Sequence, residues 1–193
     1  MTNSAELPIL PFANKKKWMD WLAKLHDKSS GAWLKIGKKD SGISSVTYEE
    51  ALDVALCYGW IDGQKKGFDD QYWLQKFTPR GPKSIWSKIN TEKAERLIAS
   101  GEMKPSGLKA MELARQDGRW DAAYASQKNI TIPEDFQAAL DKNKKAKTFF
   151  ATLKSAERYS FLFRIHNSKK PEMRAKRIQQ FVEMLARGEK IHQ

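Results

Sequence analysis

The side chains that metals and nucleophilic chemistry use most are scarce in this chain, which has one cysteine and three histidines in 193 residues. Cys57 therefore has no cysteine to pair with in a disulfide, and no second thiol to share a zinc ion with, so the pattern fits a reducing compartment. Scattered histidines without ligand spacing predict no metal site, and no cofactor is expected. No apolar run approaches the ~18 residues that a membrane-crossing helix needs, so no membrane span is predicted. The first residues, MTNSAELPILPFANKKK, put their charges after a short apolar piece and lack a long apolar region, unlike a secretory signal. A cytoplasmic location is the expectation. Neither GxxxxGK nor GxGxxG occurs, and RGPKS only loosely resembles an anion-binding turn.

Acidic residues are also in deficit. Against 35 lysines and arginines stand 23 aspartates and glutamates, for a net charge of +12 and a pI near 9.7. Such a balance attracts polyanions, so nucleic acid, an anionic membrane surface or an acidic metabolite are candidate partners. The basic groups are spread over Lys15 to Lys17, Lys35 to Lys39, Lys65 to Lys66, Lys142 to Lys147 and Lys169 to Arg177. None of them matches a nucleic-acid motif, and a solvated surface explains most of them. The densest cluster is Lys169, Lys170, Arg174, Lys176 and Arg177, and it defines the nucleic-acid reading. With 40% hydrophobic and 11% aromatic residues the chain can still bury a full core.

Most of the unusual chemistry lies in Thr47 to Gly63, TYEEALDVALCYGWIDG. Thr47 and Glu50 form a capping-box pattern, Ala51, Leu52, Ala55 and Leu56 supply an apolar face, and Gly59 is placed to end the helix. Glu49, Asp53 and Cys57 recur every fourth residue, so they share one helical side, with Asp62 just beyond. Before this segment, Leu7 to Phe12 reads as an extended lead-in. Trp18, Trp21, Leu22 and Leu25 then mark an amphipathic helix behind Asn14. The alternation in AWLKIGKK predicts a strand, and a hairpin is expected over Asp62 to Gly67 and Gln71 to Phe77.

Past the proline-rich loop from Thr78 to Lys83 the pattern is helical. Asn90 is expected to cap a helix with Ala94, Leu97 and Ile98 inward, and Leu108, Met111 and Ala114 mark the next. Arg119 and Trp120 are expected to lead a short helix to Ser126. Pro133 opens the first of four C-terminal helices, the last ending at Gly188. The predicted fold is α+β, mainly helical, with a small antiparallel sheet of two or three strands in the N-terminal half and a C-terminal helical bundle. The predicted division is residues 1–128 as a core domain and 129–193 as a basic helical subdomain, packed on the first or separate.

The runs TYEEALDVALCYGWIDG, FTPR, SIWSKIN, GEMKPSG and DGRWDAAY, with the basic MRAKRIQQFVEMLARGE, resemble the bacterial YdeI/OmpD-associated family, described as bacteriocin-protection proteins. The resemblance extends from about Phe12 to Gly188. It implies a stress- or bacteriocin-protection role and assigns no reaction and no catalytic residue.

Within those motifs, Asp53, Trp60, Asp62, Arg80, Trp86, Asn90 and Arg119 are the candidate ligand-binding residues, with tryptophan walls and arginines for an anionic group. The alternative is a buried network in which Arg80 and Arg119 pair with Asp53, Asp62 or Asp117. Cys57 as a nucleophile would need a base such as His26 or His166, and its apolar flanks favour a packing role. Asp53 or Asp62 as an acid/base group is a weaker enzymatic reading, since two aspartates nine positions apart carry little signal.

Overall fold

The computed structural model describes residues 6–191. The chain divides into two compact units, Met1–Trp86 with Asn90–Ala122, and Ser87–Ile89 with Ala123–Gln193.

The first unit runs β1 (Ile9–Pro11), α1 (Lys15–Leu25), β2 (Ala32–Gly37), α2 (Tyr48–Cys57), β3 (Trp60–Gly67), β4 (Tyr72–Pro79), α3 (Lys88–Ala99) and α4 (Pro105–Gln116), with residues 88 and 89 of α3 counting in the second unit. Its sheet has the order β1-β2-β4-β3. This corrects the expected sheet of two or three antiparallel strands, because there are four and β1 lies parallel to β2. The extended lead-in is that extra strand. A proline has no N–H to give but keeps its carbonyl, so a proline-bearing segment can pair at a sheet edge. Here Trp33 donates its backbone N–H to Pro8 O at 2.9 Å, and Val46 N donates to Phe12 O at 2.8 Å.

Helix α1 starts where the Asn14 side chain accepts from Lys17 N, and α2 where Thr47 and Glu50 close a reciprocal capping box. Each satisfies backbone donors that a helix start leaves open. Trp18, fully buried, is the packing centre. Its ring lies 5.1 to 6.2 Å from Phe12, Trp21, Trp60 and Phe77, and its indole N–H donates to Ala51 O at 3.0 Å. The polar end of this large ring is thus paired with the helix above it.

The hairpin is longer than expected, reaching back to Trp60 and forward to Pro79. Its register shifts between Asp62 and Lys65. That irregularity takes carbonyls out of the ladder, and the buried Gln75 amide donates to Gly63 O at 2.9 Å and Gln64 O at 3.3 Å to compensate.

Three local expectations are corrected. Asn90 does not cap α3, which begins at Lys88, so Asn90 sits buried inside the first turn. The cause is an isolated bridge between Ser87 and Tyr124, with Lys88 N donating to Tyr124 O at 2.9 Å, which fixes where the chain leaves extended geometry. The same bridge holds Tyr124, so residues 119–126 form turns and a bridge instead of a helix. Ile98 and Leu108, expected to face inward, are 39% and 38% exposed, while Leu97, Gly107, Met111 and Ala114 take the buried positions.

The second unit contains α5 (Glu134–Asp141), α6 (Lys144–Thr152), α7 (Ser155–His166) and α8 (Pro171–Ala186). Phe136, Phe150, Phe161 and Phe181 make successive edge-to-face contacts at 5.1 to 6.4 Å in its core. Each such pair adds about 1 kcal/mol beyond area burial. Among the described residues no helix is long and apolar enough to cross a membrane.

Candidate functional site

The first unit carries a cavity of about 300 Å³ whose lining includes Gly59, Arg80, Ser106, Lys109, Leu113 and Arg119. One wall is a single face of α4. Ser106, Lys109, Ala110 and Leu113 recur at the spacing that stacks side chains on one helical side. The opposite wall is the 80–82 loop after β4, which starts where Arg80 N donates to Gly59 O at 3.0 Å.

Glycines let these walls approach. Gly59 has φ +75°, and a Cβ there would stand 2.8 Å from Ser106 O. At Gly107 a Cβ would stand 2.3 Å from Cys57 O and 2.8 Å from Leu56 O. The end of α2 and the start of α4 therefore meet backbone to backbone, and Lys104 N donates to Cys57 O at 3.1 Å across the junction. Only a residue without a side chain fits there.

Both arginines are held by neighbours. Arg119, whose side chain is 12% exposed, donates Nε to Asp117 at 2.7 and 2.8 Å and Nη1 to Ser84 O at 2.8 Å. Its Nη2 takes no part in those bonds. The guanidinium of Arg80 lies 3.5 Å from the centre of the Trp86 ring and donates Nη1 to Ile85 O at 3.2 Å. Trp86 is buried, sits 4.9 Å from Trp120, and Arg115 covers Trp120 from 4.9 Å. Stacking a planar cation on a ring fixes the orientation of its hydrogen-bonding fork. Among the described residues the lining holds three cations and no carboxylate, since Asp117 is not part of it.

The other residues singled out in the sequence stand elsewhere. Asp53 accepts from Lys93 at 3.0 Å and Arg96 at 2.7 Å, and Lys93 also pairs with Glu49 at 2.7 Å. This network ties α2 to α3, and the cations are ones that the sequence reading passed over. Asp62 accepts from the Tyr48 hydroxyl at 2.9 Å. Trp60 is buried and donates its indole N–H to His26 O at 3.0 Å. Neither aspartate lines the cavity with Arg80 and Arg119, and Arg119 pairs with Asp117, one of the partners weighed for it. Lys109 is the lining cation that sequence reasoning missed, and its only signal is its place on the Ser106–Leu113 face.

Cys57 is buried, and burial pushes its thiol up to about 11. A group so reluctant to ionise is a poor nucleophile at neutral pH.

In the C-terminal cluster, Arg174 pairs with Asp135 at 2.6 Å and donates to Ile165 O at 2.7 Å. Arg177 donates to Arg164 O and to the Ser168 hydroxyl at 3.0 and 2.6 Å. Both arginines therefore hold the end of α7, whose last carbonyls need donors. Lys169, Lys170 and Lys176 remain exposed.

These features define a two-unit protein, with an α+β unit that carries a cation-lined cavity and a unit of four helices. The chain belongs to the family described as a domain of unknown function, DUF8412, which matches residues 10–110, just over half of its length, and residues 129–188 match the family described as Bacteriocin-protection, YdeI or OmpD-Associated. The second match places MRAKRIQQFVEMLARGE in the YdeI/OmpD-associated segment. The motifs from TYEEALDVALCYGWIDG to GEMKPSG fall within the first match, and DGRWDAAY at residues 117–124 falls in neither, so the YdeI/OmpD-associated resemblance is shown for residues 129–188. No curated protein matches the chain. No solved structure matches it.

Proposed function

We propose that the protein binds a small anionic ligand, bearing a carboxylate or phosphate, in the cavity between α4 and the 80–82 loop, as part of a protection role of the kind named by the family that matches residues 129–188. The observation that carries this reading is the charge of the lining, with Arg80, Lys109 and Arg119 at one cavity and no acid among the lining residues. Asp117 offsets part of the Arg119 charge from outside the lining, and the positive potential that Lys109 and the two guanidiniums bring to the cavity favours an anion there. Arg119 is oriented by Asp117 and Ser84, and Arg80 by Trp86, which suits recognition of a planar or tetrahedral oxyanion. The volume lies at the small end of ligand sites, so the ligand is a metabolite-sized anion.

The test is calorimetric titration of the full chain with inorganic phosphate and with small mono- and dicarboxylates. Lys109→Ala is the most informative variant, because Lys109 is exposed and its loss leaves the fold intact. Binding weakened about two- to fivefold in Lys109→Ala at unchanged thermal stability supports the site. Equal affinity in both proteins removes it. The nucleic-acid reading of the C-terminal cluster is disfavoured at Arg174 and Arg177, whose guanidiniums hold α7.

A further inference from the structure

The sheet of the first unit has two chemically different faces. In β2, Ala32, Leu34 and Ile36 are buried while Trp33, Lys35 and Gly37 are half-exposed. Directly opposed residues share a face. Phe77 and Asp62, opposed in β4 and β3, face α1 and α2, since Phe77 packs 5.8 Å from Trp18 and Asp62 accepts from Tyr48. The register puts Trp33 opposite Lys76, Gly37 opposite Tyr72, and both Lys35 and Lys66 opposite Leu74. These residues form the face turned away from α1 and α2.

On that face cations and rings alternate in contact. The Lys66 ammonium stands 4.3 Å over Trp33, and Lys35 stands 4.0 Å over Tyr72 and 4.7 Å over Phe68, which is 47% exposed. A concavity of about 590 Å³ lies at its Trp33 end, lined among others by Glu6, Ile9, Trp33, Lys66, Lys76 and Thr78. Lys35 is shared with Asp69 at 3.7 Å. Lys66 and Lys76 enter no ion pair among the described residues. Trp33 and Tyr72 stand about four residues apart along the strands, roughly 13 Å, far enough for each to take a separate base.

We propose that this face binds single-stranded nucleic acid, with bases stacked on Trp33 and Tyr72 and phosphates held by Lys66, Lys76 and Lys35. The lysines are flexible point charges, so on binding they leave the rings for phosphates and the rings take bases in exchange, the usual division of labour in single-strand recognition. An acidic peptide would use the lysines and leave the ring faces idle, and a duplex keeps its bases stacked and out of reach of a flat sheet. The chain's net charge of +12 favours the encounter.

The experiment is fluorescence anisotropy of the full chain with a labelled oligothymidine of about 20 nucleotides, against a duplex of equal length and polyglutamate. Binding of the single strand that weakens about five- to a hundredfold in Trp33→Ala and is largely restored in Trp33→Phe supports the proposal. The variant K66Q/K76Q flattens the logarithmic salt dependence by about 1.4. Phenylalanine keeps the ring, so the Trp33→Phe arm separates lost stacking from lost folding. No single-strand binding at low salt, polyglutamate bound as tightly as the oligomer, or loss only in K169Q/K170Q/K176Q would each overturn it.

Discussion

Replacing Gly107 by alanine should destabilise the first unit, although alanine is the better helix former by about 1 kcal/mol. The added Cβ would lie 2.3 Å from Cys57 O, where ordinary contact begins at 3.4 Å, so α4 must move from the end of α2 by about 1 Å. That movement stretches the 3.1 Å bond from Lys104 N to Cys57 O out of hydrogen-bonding range. It also disturbs Met103, whose sulfur would be 2.5 Å from the new carbon. A lost backbone bond costs about 1 kcal/mol and overpacking a buried contact about 1–3 kcal/mol, so after the propensity gain the net loss is about 1–3 kcal/mol. Urea denaturation measures it as a lower midpoint at constant slope. Gly101→Ala is the control, because nothing lies within 4 Å of its Cβ and only its φ of +74° is strained, a cost of about 1 kcal/mol. Because α4 forms one wall of the cavity, Gly107→Ala should also weaken anion binding, whereas Gly101→Ala should leave it intact. A Gly107→Ala protein as stable as the parent would refute the backbone-to-backbone packing of α2 on α4.

Two further outcomes are expected. Cys57, buried and with its thiol pushed up to about 11, should react with a thiol reagent at pH 8 only after denaturant is added, and rapid labelling of the folded chain would contradict that burial. The hydrogen bonds from Arg174 hold Asp135 below the usual carboxylate range. A depressed folded value stabilises above the unfolded value, near pH 4, and the gain disappears as pH falls through the folded one. Asp135→Asn should therefore cost up to about 1 kcal/mol at neutral pH, since the pair is partly solvated, and progressively less as the pH falls below the usual carboxylate range. A cost that does not change as the pH is lowered would show that the contribution is not ionic.

Local signals carried over from sequence to structure where one or two residues dictate the backbone. The Thr47–Glu50 capping box, and Gly59, Gly101, Gly118 and Gly188 with φ between +73° and +75°, stand where their chemistry places them. What failed depended on distant partners. β1 is three residues long and carries a proline, so nothing local marks it as a strand until Trp33 supplies the donor. Asn90 has a capping side chain, but the bridge to Tyr124 starts the helix earlier. Asp53 carried no mark of Lys93 and Arg96, which lie 40 and 43 positions later. Arg80 and Arg119 were singled out by their aromatic and turn surroundings. Lys109 looks like any other surface lysine until the face of α4 is known.

The cavity that Arg80, Lys109 and Arg119 share is tested most directly by phosphate titration of the parent chain beside Lys109→Ala. Saturable one-to-one binding that weakens about two- to fivefold in the variant, with both proteins melting at the same temperature, is the expected result. Phosphate and carboxylates that bind neither protein, or bind both alike, would contradict an anion site at this cavity.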